Sequence, residues 1–194
     1  MALIKRIKNK ILLEIAKLSR PHIIGGYRRS DGSFLKDTRI SNSTFIDYKE
    51  NLDIKDNVFI GHYNFIEASG GITIKEGCQL TNFISITTHS SHISIRLYGK
   101  EYGNYPDKKG YIKGPVYIGE YSFIGPHSLI MPDTHIGKGS IVAAYSYVQG
   151  DFPDFAIIKG NPAVVVGSTK DIDSKYIEEY PELKKFYSEW ANKI

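Results

Sequence analysis

The chain is poor in cysteine: Cys78 is its only one, alongside a single tryptophan and two methionines in 194 residues. A lone thiol excludes an internal disulfide framework and fits a reducing compartment, so a cytoplasmic location is expected. Long apolar runs are also missing. The basic stretch at the start is interrupted by Lys8, Asn9, Lys10, Glu14 and Lys17, which argues against both a signal peptide and a membrane span. Neither sign of charge dominates, with 25 lysines and arginines against 21 acidic residues. Without a dense basic stripe carrying interleaved aromatics, no nucleic-acid partner is expected. A composition of 41% hydrophobic and 24% charged residues suits one soluble globular domain.

What the chain does have is a count of six. From Ile118 an aliphatic residue returns at Ile124, Ile130, Ile136, Val142 and Val148, and four places after the first five stand Ser122, Ser128, Thr134, Ser140 and Ser146. Six is too short for a helical repeat and too long for strand alternation. Three hexads make one triangular coil of a parallel β-helix, whose stacking buries the repeated aliphatic while the small hydroxyls fill the narrow interior. The residue after the aliphatic is often small (Gly119, Gly125, Gly137, Ala143), as expected at a sharp corner where φ turns positive.

Three segments depart from this rule. Residues 1–38 read as an amphipathic helix and linker: Ile4, Ile7, Ile11, Ile15 and Leu18 share a face, basic residues occupy the rest, Pro21 ends the pattern, and a loop with Gly25, Gly26 and Gly32 follows. That helix either packs on the β-helix or a neighbouring subunit, or makes peripheral contact with an anionic inner-membrane surface. Residues 39–166 form the β-helix. In it a first array (Ile40, Ile46, Ile54, Ile60, Ile66) slips by two residues near Gly70 and Gly71, and an excursion over 93–114 abandons the count. A loop of that length is usually functional, and its tyrosines, Tyr105 among them, suit a sugar-binding wall. Residues 167–194 read as a helical cap, with Leu183, Phe186, Tyr187, Trp190 and Ile194 on one face, closing the open coil.

Taken together, Thr87-Thr88-His89-Ser90-Ser91-His92 before the excursion, the hexads from Tyr117 to Gly125 after it, and Asp151-Phe152-Pro153 followed by Gly160-Asn161-Pro162-Ala163 resemble the hexapeptide-repeat acyltransferases. The likeness is to the galactoside, maltose and surface-polysaccharide O-acetyltransferases, and spans roughly residues 54–167. It implies a left-handed parallel β-helix, an all-β solenoid with N- and C-terminal helices and one excursion loop. It further implies transfer of acetyl from acetyl-coenzyme A to a sugar hydroxyl, with His89 as general base. The acceptor would meet Asn64, His92, Tyr105 and Phe123; Asn64 has the alternative of bonding its own turn. The donor would lie along Gly125, Ala143 and Ala144 in a groove between subunits of a homotrimer. Where relatives commonly carry cations for the coenzyme phosphates this chain has Gly150 and Val164, so Lys138, Lys159 or Lys170 would have to substitute. Cys78 falls on an inward position, so transfer would be direct, within one ternary complex.

Three other readings compete. A zinc enzyme on the same solenoid needs three converging histidines, yet His127 and His135 are eight apart and form no close pair, so no metal is expected. A nucleotide-linked amino sugar could replace the hydroxyl acceptor, because a histidine base serves either. A non-catalytic β-helix scaffold is the alternative from a different class.

Overall fold

An aliphatic that recurs every six residues returns to the same side of a three-sided coil at every third recurrence, and the strand pairing follows that rule. In the computed structural model, which describes residues 2–192, strands of mostly two or three residues in the coils stack in parallel on three faces. Ile40, Ile60, Leu80, Ile124, Val142 and Ile158 lie in register down the first face. The second face holds Ile46, Ile66, Ile86, Ile130 and Val148. The third holds Ile54, Ile74, Ile118, Ile136 and Phe152. All of these except Ile46 are buried, each contributing about 1.5–3 kcal/mol by removal from water. The inward Ser122, Ser128, Thr134, Ser140 and Ser146 are buried too. Their hydroxyls donate to corner carbonyls such as Gly137 O, Gly125 O and Ala143 O, so the interior contains little unpaired polarity.

The corners do not use their small residues as the sequence suggests. Positive φ falls two places later, at Tyr121, His127, Gly139 and Tyr145. Gly119, Gly125 and Gly137 are small because the next coil lies against them: a Cβ on Gly125 would come within 2.7 Å of Ala144 N and Val142 O. Close stacking of coils, not backbone freedom, demands glycine there. The left-handed corner residues are largely aromatic and pile on one another. Tyr63, Phe83, His127 and Tyr145 form a ladder with ring centroids 5.2, 4.9 and 4.8 Å apart.

The hexad step fails at one edge only. Between the first and second faces, and between the third and first, each step is six residues, as from Ile60 to Ile66 and from Ile74 to Leu80. Between the second and third faces the step is eight from Ile46 to Ile54 and from Ile66 to Ile74, then thirty-two from Ile86 to Ile118. Lower down it is six from Ile130 to Ile136 and four from Val148 to Phe152. The slip expected at Gly70 and the excursion therefore belong to the same edge of the prism.

Helix α1 (Ala2–Leu18) forms as its spacing predicts. The glycine-containing stretch after it is not a loop. Ile23–Arg28 pairs antiparallel with Phe34–Ser41, and the latter joins the first face. At the far end Ala156–Gly160 and Ala163–Ser168 form a second antiparallel pair, so hairpins close both ends of that sheet. Within the excursion lie α2 (Ser94–Tyr98) and a 3-10 segment, Gly99–Asn104. The tail folds into α3 (Lys170–Glu179) and α4 (Lys184–Ala191). Instead of closing the open coil, α4 runs beside the edge between the third and first faces: Trp190 stacks 4.6 Å from Tyr121 and 5.8 Å from Phe155. Those two rings project at corners, which gives Trp190 a better apolar surface than the end of the sheet, already covered by Ala163–Ser168. Ile194 and the side chain of Leu18 lie outside the described residues.

Candidate active site at the irregular edge

The edge where hexads fail gathers the acid–base chemistry. Glu67 follows the core residue Ile66 and pairs in register with Thr87 on the next coil, so its carboxylate reaches the start of the excursion. It is buried at 4% exposure and fully occupied. Its Oε1 accepts from Ser69 N at 2.9 Å; its Oε2 accepts from Thr88 N at 3.0 Å and Thr88 Oγ1 at 2.9 Å. Burial pushes this carboxyl upward, but the donors from Ser69 and Thr88 outweigh it and hold the group at about 2. Glu67 is thus a fixed anion.

His89 is the partner of that anion. Its Nδ1 lies 2.9 Å from Glu67 Oε2 and 3.3 Å from Ser69 Oγ. An ionised carboxylate accepts only, so Nδ1 carries the proton and the lone pair of the neutral ring sits on Nε2. The imidazole is about one-third exposed, at 36%. Tyr111 stacks on it with centroids 5.7 Å apart and planes within 10°. Burial, then the neighbouring Tyr102 and Glu67, raise the Tyr111 phenol, which keeps its proton at neutral pH.

The excursion is tied down at its root. His89 and Ser90 pair antiparallel with Lys113 and Ile112, and Gly114 N donates to Thr88 O at 3.0 Å. Thr88 is fully buried and accepts from Gly70 N through Oγ1 at 2.7 Å. Gly70, the first glycine at the slip, thus fits the root: a Cβ there would fall 2.8 Å from Thr88 Cβ and 3.0 Å from Gly114 O. Beyond the root a cavity of about 480 Å³ lies among Tyr102, Pro106, Asp107, Lys108, Lys109 and Tyr111, sharing the Tyr111 wall with His89. A larger cavity, about 720 Å³, is elsewhere, between the third face and α4, and includes none of the His89 cluster.

The residues singled out from sequence do not all meet. His92 stands three residues beyond His89 with its Nδ1 2.7 Å from Ser90 Oγ, and Tyr105 ends the 3-10 segment with its ring 5.0 Å from Tyr98. Asn64 is corrected by the structure. It is buried, Nδ2 donates to Gly61 O and Thr81 O, and Oδ1 accepts from Ile84 N, so the amide is consumed by its own corner and the next coil. Phe123 projects from the first face, away from the irregular edge. Gly125, Ala143 and Ala144 form the edge between the first and second faces, and Lys159 follows Ile158 at that edge one coil on. Lys138 does not join them, because it lies at the edge between the third and first faces, 5.8 Å above the Phe155 ring that also carries Lys170 at 4.4 Å. His127 and His135 point to different partners, the corner ladder and Tyr117, the latter ring 4.6 Å away. Among the described residues no three His, Cys, Asp or Glu side chains gather as a metal site. Cys78 is buried, with its thiol pushed up to about 12 chiefly by burial.

Glu67, Ser69 and Tyr111 are the members of the cluster that residue-by-residue reading passes over. A signal for Glu67 does exist: the coil from Ile66 to Ile86 is twenty residues long, and twenty added to Glu67 lands on Thr87, beside His89.

Residues 112–150 match the family described as bacterial transferase hexapeptide (six repeats). Over 132 residues the chain is 31% identical to the protein YJL218W of Saccharomyces cerevisiae, whose name marks it as a candidate acetyltransferase; the match covers 67% of this chain and 62% of that one. The chain therefore spans less than two thirds of that relative's length. Among solved structures, AntD, an N-acyltransferase from Bacillus cereus in complex with dTDP and 3-hydroxybutyryl-CoA, is similar with a TM-score of 0.57 at 18% identity, over 77% of this chain and 89% of that one. A maltose O-acetyltransferase from Clostridium difficile is similar with a TM-score of 0.55 at 24% identity, over 66% of this chain and 64% of that one. At these identities the likeness speaks for the fold. The chain is a left-handed parallel β-helix whose residues 112–150 match the bacterial-transferase hexapeptide repeats, and it resembles the hexapeptide-repeat acetyltransferases in sequence and in fold.

Proposed function

We propose that the protein is an acetyl-coenzyme A-dependent O-acetyltransferase that acts on a sugar hydroxyl of a bacterial surface glycan or its precursor, with His89 as general base. The observation that carries this reading is the Glu67–His89 pair at the root of the excursion. A buried, permanently ionised carboxylate fixes Nδ1–H, directs the basic lone pair to Nε2, and stabilises the imidazolium when a proton arrives. A sugar hydroxyl needs such a base because it is protonated at neutral pH. As Nε2 takes the hydroxyl proton, the hydroxyl oxygen bonds to the thioester carbonyl carbon; the C–S bond then breaks and the coenzyme thiolate takes up the proton. Cys78 is unsuited to an acyl-enzyme, being buried as a thiol.

Tyr111, Tyr102 and the adjoining cavity supply a wall of aromatic faces and hydroxyls for the acceptor, with Tyr105 in the same excursion and His92 just before it. For the donor, Ala143 and Ala144 leave little side chain at the edge, Gly125 is buried beneath the next coil, and Lys159 lies exposed beside them. This edge and His89 border opposite sides of the second face. On this reading the donor edge of one copy serves His89 of another, in a homotrimer with sites between subunits.

The test is coenzyme A release from acetyl-coenzyme A with a panel of envelope glycans, sugars and nucleotide-linked amino sugars. Wild type should release it with hydroxyl acceptors, and His89→Ala should lose about 10²- to 10⁴-fold in kcat. An alanine variant that keeps most of the rate removes His89 from the chemistry. Release with amine acceptors alone transfers the reading to amino sugars, and none with any acceptor points to a scaffold.

A further inference from the structure

The charge of this chain is not spread over its surface. Helix α1 holds five of the 25 basic residues (Lys5, Arg6, Lys8, Lys10, Lys17) and one of the 21 acidic ones, Glu14. The remainder has 20 of each, so the entire formal net charge of +4 resides in α1. The one acid is spent locally, on an ion pair of 2.7 Å with Lys17. Along the described part of the same helix the apolar side lies open: Ile4, Ile7, Ile11, Leu12 and Ile15 are each more than half exposed. Ile4, Ile7, Ile11 and Ile15 form a single line along the helix, with Lys8 and Leu12 on one flank and Glu14, then Lys10, on the other. Among the described residues no helix is long and apolar enough to cross a bilayer.

We propose that α1 lies in the interface of an anionic phospholipid bilayer, with the isoleucine line among the acyl chains and the flanking lysines at the headgroups. The aliphatic stems of Lys8 and Lys10 extend the apolar side while their ammonium groups reach outward to lipid phosphates. Charge selects this occupant over a second copy of the chain. Bundling α1 from several copies would crowd like charges around the seam, whereas an anionic surface attracts each added lysine. The inference is independent of the acetyl-transfer reading.

The test is co-sedimentation of the full chain with phosphatidylcholine vesicles and with vesicles enriched in phosphatidylglycerol. The chain should bind the second and not the first, and should dissociate at high salt. The triple variant Lys5→Gln/Lys8→Gln/Lys10→Gln should bind about a hundredfold more weakly. Ile7→Asn/Ile11→Asn should abolish binding while the oligomeric state and melting temperature stay at wild-type values. Failure of the wild type to bind, or equal binding to both vesicles, overturns the proposal. So does a change of oligomeric state in Ile7→Asn/Ile11→Asn, which would show that copies of the chain cover this side themselves.

Discussion

Glu67 is surrounded by donors in a space that a neutral amide would not suit. A glutamine keeps one acceptor, but its NH2 must face either Ser69 N, where Oε1 stood, or Thr88 N, Thr88 Oγ1 and His89 Nδ1 together, where Oε2 stood. Glu67→Gln is therefore expected to lower kcat by roughly 10²- to 10⁴-fold by removing the negative charge that stabilises the imidazolium, with KM for the acceptor little changed. The same carboxylate sets a pH dependence of stability. Its folded value is about 2 against an ordinary 4.5, so its contribution is present in full above 4.5 and is lost as pH falls towards 2. Denaturant titrations across that window should show wild type losing more stability than Glu67→Gln. Equal slopes would mean that Glu67 is not the ionised, donor-saturated group described.

At the scale of elements the decisive object is the edge between the second and third faces. Gly70 occupies the eight-residue step there, with Thr88 and the strand leaving the excursion packed against its Cα. Gly70→Ala places a methyl where neither Thr88 nor Gly114 has room, and should cost about 1–3 kcal/mol by overpacking. Because Thr88 also holds Glu67, the variant should lose acetyl transfer beyond what its melting temperature explains; a destabilised variant with full activity would separate the root from the site. This edge also marks where the sequence could be read and where it could not. Ile118 to Val148 announce the coil directly, since a period of six has one stacked solution. The hairpin at Ile23–Arg28 and the position of α4 escaped that reading because each is decided by contact with a surface that local sequence does not contain: the open side of the first face, and the Tyr121–Phe155 corners. The place of His89 at this edge was legible because it stands where the count stops. Glu67 was not, because its partner is one coil away and only the coil length connects them. Asn64 stayed open between two roles for a related reason: a corner amide looks the same in sequence whether it faces outward or, as here, bonds the turn behind it.

For the whole molecule, the separation of His89 from the Gly125–Ala144 edge makes a prediction about mixtures. On the proposed reading, a copy with His89→Ala and a copy whose donor edge is blocked by Ala144→Trp are each inactive alone. Co-assembled, some interfaces pair an intact His89 with an intact edge, and activity should return to a fraction of wild type. No recovery in verified mixed assemblies would place donor and base within one copy.

The bond from Gly114 N to Thr88 O, with the short pairing of His89 and Ser90 against Lys113 and Ile112, brings the two ends of the excursion together before the chain re-enters the stack. The coil therefore registers where the excursion leaves and returns, and is blind to what happens between. Since doubling the length of a flexible loop costs only about 0.6 kcal/mol in closure entropy, the segment can be lengthened, shortened or exchanged with little effect on folding. The protein is in this sense modular at a single joint: the part that would choose the acceptor can be rewritten while the part that would activate it stays in place.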